Sequence, residues 1–167
     1  MKMEEKLKKS VNLINNAEKI AIYGVESSGL SAMEMKKRMQ RMGYKVDVET
    51  DSHGMIINSS LLGKKDLIIA ISNSGHTQEI VDACELAKKN SVPIIAITNY
   101  NQTPLSKTAD LILFTYNLKT QELKGLINSQ FSMMYIMDLI SMYLLKQKKT
   151  SDQYRQTVKA LNDYKKI

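Results

Sequence analysis

Leu67-Ile68-Ile69-Ala70-Ile71-Ser72-Asn73-Ser74-Gly75-His76-Thr77 decides how this chain folds. Five apolar residues in a row, with no polar alternation, are the pattern of a strand covered on both faces. Small hydroxyl residues and a glycine then break the run, and from Thr77 to Asn90 the apolar positions return at helical spacing. A buried strand that hands over to a helix in this way is one unit of a parallel α/β sheet. The break is also chemically pointed. Three hydroxyls, Ser72, Ser74 and Thr77, lie with Gly75 at the start of a helix, where backbone N–H groups are unpaired and the helix dipole is positive. Such a turn wraps an anion, and phosphate is the expected cargo.

Working outward, Lys19 to Tyr23 is a second short apolar strand and opens into a second loop of the same kind, Gly24-Val25-Glu26-Ser27-Ser28-Gly29. Before it, Glu4 to Asn16 places Leu7, Val11 and Ile14 at helical spacing. After it, Leu30 to Met42 repeats Ala32, Met35, Met39 and Met42 at threes and fours, with Gly43 as its expected C-cap. Lys45 to Glu49 reads as the next strand, followed by Asp51-Ser52-His53 and a short helix through Leu62 with a stop at Gly63. Pro93 to Thr98 and Leu111 to Tyr116 read as the last two strands, with a one-turn element around Pro104 between them.

Five strands separated by crossovers predict a three-layer α/β fold, a five-stranded parallel sheet in the flavodoxin-like order 2-1-3-4-5. In that order strands one and three are neighbours at the topological switch point, and both serine loops meet there. Downstream, about Gln121 to Lys146 reads as a long helix whose apolar residues run nearly all the way round, so a second chain is expected to cover what the sheet does not. Asp152 to Tyr164, with Tyr154, Val158 and Leu161 on one stripe, reads as a short amphipathic helix. A length of 167 residues suits one domain, residues 1–167, with a core from about 17 to 147 between an N-terminal helix at 4–16 and a C-terminal helix at about 151–165.

Composition narrows the function classes. The net charge of +7 invites a nucleic-acid reading until it is located: residues 146–167 hold seven Lys and Arg against two Asp, and residues 1–10 hold four Lys against two Glu. The body between is neutral, so the basic termini read as solvated faces. The first 17 residues show no apolar core of a secretory signal. The most apolar run, Phe131 to Leu145, is 15 residues long and contains Asp138, short of the ~20 that span a membrane. A cytoplasmic protein without membrane contact is expected. The lone Cys84 forms no internal disulfide and shares an apolar helical stripe with Ile80 and Ala87, which predicts a buried, inert thiol.

Other chemistries fare less well. Gly24-x-Glu26-x-x-Gly29 with Asp47 and Glu49 downstream resembles a dinucleotide fingerprint, yet Glu26 puts bulk and negative charge where a pyrophosphate needs close backbone approach. No cofactor is expected. Neither histidine has cysteine or acid neighbours at ligand spacing, so no metal is expected either. His53 is equally a ligand contact or a helix cap, and His76 is expected to face solvent. Glu122 opens the long helix, where it is either a dipole-stabilised acid or a group that contacts sugar or transfers a proton.

Ser72-x-Ser74-Gly75-x-Thr77, with Gly24-x-x-x-Ser28-Gly29, resembles the sugar isomerase (SIS) domain, a phosphosugar-binding α/β module. Asp51-Ser52-His53, Ile97-Thr98-Asn99 before Pro104-Leu105-Ser106, Ala109-Asp110 and the tail Asp152-Gln153-Tyr154-Arg155 are similar to the effector domain of RpiR-type transcriptional regulators over roughly residues 5 to 165. The resemblance implies that Ser28, Ser72, Ser74 and Thr77 hold a sugar phosphate, with Gly24, Ser27 and Asn73 in the same loops, and that His53 and Glu122 lie near the sugar. Two departures stand out: Glu26 takes a position where the family usually has glycine, and the helix-turn-helix domain of those regulators has no room here. The implied function is ligand sensing by a homo-oligomer, with DNA contacted only through a missing domain. The alternative is an aldose-ketose sugar-phosphate isomerase in which Glu122 moves the proton.

Overall fold

In the computed structural model, described at residues 1–99, 102–115 and 130–165, the apolar runs pair as β1 (Ile20–Gly24), β2 (Val46–Glu49), β3 (Leu67–Ile71), β4 (Ile94–Thr98) and β5 (Leu111–Phe114). All four pairings are parallel and the order is β2-β1-β3-β4-β5, as the sequence predicts. The three central strands β1, β3 and β4 are buried along their whole length, which explains why they carry continuous apolar runs.

Alternate residues of each strand feed two cores. Ile20, Ile22, Ile69, Ile71, Ile95 and Ile97 point to one face, covered by α1 (Met3–Asn16), α2 (Ser27–Arg41) and α6 (Gln130–Leu145). Ala21, Tyr23, Ile68, Ala70, Ile94 and Ala96 point to the other, covered by α3 (Ser52–Leu61), α4 (Gln78–Lys89) and the short α5 (Pro104–Thr108). α7 (Lys148–Tyr164) lies outside the first layer, where Thr157 Oγ1 donates to the Arg41 carbonyl at 3.0 Å and the Arg41 guanidinium sits 4.8 Å over the Tyr154 ring.

Several element bounds differ from expectation for local reasons. α2 begins three residues earlier, at Ser27, because the Val25 carbonyl accepts from Ser28 N at 3.0 Å and Gly29 N at 3.3 Å, which draws the serines into the first turn. α7 begins at Lys148 rather than near Asp152, its first turn tied down by the buried Thr150, whose hydroxyl lies 3.1 Å from that of Tyr44. Gly63 is not a helix cap: α3 ends on an extended Leu62, and Gly63 N donates to Asp66 Oδ2 at 2.9 Å. Helix α6 is described from Gln130 onward, so the expected start near Gln121 lies outside the described residues. Within the described part, α6 is not apolar-buried all round. Its inner side packs Met133, Ile136, Met137, Ile140 and Leu144, while Phe131, Tyr135 and Met142 stand exposed.

Candidate functional site

Register places the two serine loops side by side. Gly24, the last residue of β1, pairs with Ile71, the last residue of β3, so Val25 and Ser72 leave adjacent strands at the same level. From there β1 leads through α2 to β2 on one side and β3 leads through α4 to β4 on the other, which makes this the switch point where such sheets open a crevice.

The second loop is built by hydrogen bonds of its own. Ser72 is buried; its N–H donates to the Ile97 carbonyl at 3.1 Å, and its hydroxyl lies 2.9 Å from Thr77 Oγ1. Gly75 N donates to Ser72 Oγ at 3.1 Å, and His76 N donates to Ser74 Oγ at 3.2 Å. The Asn73 carbonyl accepts from Asn99 N at 3.1 Å and from Thr98 Oγ1 at 3.3 Å, which ties the loop to the end of β4. Gly75 has φ +69, and a Cβ there would lie 2.3 Å from Thr103 Oγ1. Only glycine fits, because α5 closes over the loop: Leu105 N donates to the Gly75 carbonyl at 3.2 Å. Thr103, with no place among the expected site residues, is therefore the clamp of this loop. Its own signal was in the sequence, since Thr103-Pro104-Leu105-Ser106 is a capping box with proline in the first turn, and Thr103 Oγ1 accepts from Ser106 N at 3.1 Å.

The result is a rigid cup of neutral donors. Thr77 stands at the N-cap of α4 without spending its hydroxyl on the helix, and the first N–H groups of α4 have no intrahelical acceptor. Ser74 is exposed at the rim and Asn73 is half-buried. Asn73 Oδ1 and Asn99 Nδ2 are buried without a partner at this edge of the sheet, an uncompensated acceptor and donor.

The first loop is tighter. A Cβ on Gly24 would come within 2.5 Å of the Ser28 carbonyl oxygen, so α2 turns directly over the strand end. Ser28 is buried in the first turn and Ser27 is exposed, its carbonyl accepting from Gln130 Nε2 at 3.3 Å and from Ser31 Oγ at 3.3 Å. Glu26, the N-cap, has φ 51 and ψ −121 and makes no side-chain capping bond.

The structure brings Gly24, Ser27 and Ser28 to the same edge as Ser72, Asn73, Ser74 and Thr77. His53 sits at that edge too, exposed in the first turn of α3 beyond β2. Its alternative role as a cap falls to Asp51, whose Oδ1 accepts from Gly54 N at 2.9 Å. His76 is exposed, with Nδ1 2.8 Å from the Ser74 carbonyl. Glu122 lies outside the described residues. Among the described residues no cluster of metal-ligating side chains occurs, and no helix is long and apolar enough to cross a membrane. Cys84 is buried in α4, and burial pushes its thiol up to about 12.

Fold and site together define a doubly wound α/β domain with paired serine loops at its switch point. The chain belongs to the SIS domain family, whose pattern matches residues 13–142. It is 34% identical to an uncharacterized HTH-type transcriptional regulator of Clostridium perfringens, over 81% of this chain and 49% of that protein. Among solved structures it is similar to the Vibrio vulnificus NanR protein complexed with ManNAc-6P, with a TM-score of 0.86 and 25% identity over 96% of this chain and 61% of that one. The sugar isomerase domain of an RpiR transcription factor from Sphaerobacter thermophilus shares the fold, with a TM-score of 0.82 and 19% identity over 95% of this chain and 86% of that one. The chain spans about half the length of the curated relatives it matches.

Proposed function

We propose that this chain binds a sugar phosphate between its two serine loops and serves as the ligand-sensing part of a transcriptional regulator of the RpiR type. The observation that carries the reading is the cup at residues 72–77, clamped in shape by Thr103 and β4 and furnished with hydroxyls and helix N–H groups but no Lys or Arg. Donors of that kind suit a phosphate, whose three oxygens accept several short bonds each. The phosphate contacts are Ser28, Ser72, Ser74 and Thr77, with Gly24, Ser27 and Asn73 shaping the loops; His53 and Glu122 are assigned to the sugar. A regulatory role rests on the helix-turn-helix regulators among its relatives, with DNA contacted through the part of those proteins that this chain does not match. The outward stripe of α6 suits a homodimer in which ligand occupancy is communicated. A cytoplasmic setting goes with this role.

A thermal-shift panel of hexose, pentose and amino-sugar phosphates tests the reading. A stabilising hit that the matching free sugar does not reproduce supports it, and a flat panel contradicts it. Conversion of an aldose phosphate to its ketose, abolished by Glu122→Gln, would replace sensing by isomerisation.

A further inference from the structure

Glu26 stands where a side chain is least welcome. Its φ of 51 with ψ −121 lies in backbone space that glycine enters freely and other residues enter under strain. Nothing in the fold repays that strain: among the described residues the exposed carboxylate makes no cap bond to α2 and no ion pair. A charge at the N-terminus of α2 is favourable, but a serine or aspartate in relaxed geometry would supply that interaction together with a capping bond.

What the side chain does have is position. Two residues past Gly24, Glu26 belongs to the loop that leaves β1 beside the loop carrying Ser72 and Ser74, because the ends of β1 and β3 are paired. The side chains that would hold phosphate there are all neutral, which leaves Glu26 as the acidic side chain of the two loops. We propose that Glu26 is a specificity-determining residue of the sugar-phosphate site, selecting phosphosugars that carry an ammonium group and rejecting those that carry a second acid. The proposal rests on the binding reading above. A ligand charge bound about 6 Å from the carboxylate would, at an effective dielectric between water and protein surface, change affinity roughly tenfold, upward for a cation and downward for an anion.

The test is calorimetry on the full chain with three probes: glucosamine 6-phosphate, glucose 6-phosphate and 6-phosphogluconate. Wild type is expected to bind them in that order, about tenfold apart at each step and less in high salt. Glu26→Gln should compress the series to within about threefold, because it keeps the side chain and removes the charge. Glu26→Gly should compress it equally and raise Tm by relieving the positive φ. If both variants keep the wild-type ranking, the assignment of Glu26 is overturned while the site stands, provided Ser74→Ala weakens all three probes alike. If no probe binds wild type, the binding reading itself fails and takes the assignment with it.

Discussion

The hydroxyls of Ser72 and Thr77 lie 2.9 Å apart, closing the turn between β3 and α4. Ser72 is 2% exposed, so its hydroxyl depends on this partner and on Gly75 N rather than on solvent. The pair holds the loop in shape before any ligand arrives. Thr77→Val removes one partner at nearly constant volume and is expected to cost about 1 kcal/mol of stability and roughly tenfold in phosphosugar affinity. Urea melts and calorimetry on the same variant check both; a variant with wild-type affinity would show that Thr77 does not serve the site.

Gly75 meets Thr103 across 28 residues of sequence, with a Cβ at Gly75 falling 2.3 Å from Thr103 Oγ1 and 2.8 Å from Thr103 Cβ. Gly75→Ala therefore combines a positive φ with a collision against a capped helix start, and should destabilise by about 2 kcal/mol or more. Thr103→Ser removes one of the opposing carbons and keeps the capping oxygen, so the double variant should recover part of the loss. Thermal denaturation of the four proteins measures the coupling.

Phe131, Tyr135 and Met142 are 88%, 63% and 57% exposed on one side of α6. They flank the exposed Asp138, which pairs with Arg38, and three large apolar side chains standing out on one face are characteristic of an interface, so we expect at least a homodimer. Tyr135→Glu or Met142→Glu should shift sedimentation toward the ~19 kDa monomer with little loss of fold, because neither side chain packs in the core. A wild-type monomer at micromolar concentration would contradict the assignment of this face.

Alkaline pH should weaken the fold. Burial holds the Cys84 thiol up from 9.0 to about 12 and raises the Tyr23 phenol above its ordinary 10.0, only partly offset by its 2.8 Å bond to Ser59. Both groups stay protonated in the folded chain where the unfolded chain releases its protons. Their contribution is complete below about pH 9 and is lost as pH climbs from there, each group adding a slope of up to about 1.4 kcal/mol per pH unit. Urea midpoints at pH 8 and pH 10.5 measure the fall, and Cys84→Ala should reduce it; equal midpoints would contradict the burial argument.

Much of this was legible in the chain because its signals are local. Leu67 to Ile71 announces a doubly buried strand by lacking any polar residue, and Ser72 to Thr77 announces its loop by composition; the strand order then follows from crossover rules that leave few topologies. What escaped depends on contacts between distant residues. The Gly75 clamp needs Thr103, the early start of α7 needs Tyr44 against Thr150, and the exposed side of α6 depends on which face the sheet takes. Ser27, Ser28 and Gly29 are poor helix formers, and they join α2 because the Val25 carbonyl just past β1 collects the N–H groups of Ser28 and Gly29. Glu26 was visible as an oddity in its loop, but its positive φ was not, because only the backbone path from β1 into α2 imposes it.

The account stands on phosphate being held by the loop hydroxyls, and the most direct measurement is calorimetric binding of a recognised sugar phosphate to wild type, Ser72→Ala and Ser74→Ala, with the matching free sugar as control. The account predicts saturable binding of the phosphorylated sugar alone and a loss of roughly tenfold to a hundredfold in each variant, one charge-assisted hydrogen bond apiece. Equal affinity in all three proteins, or equal binding of the free sugar, would contradict it.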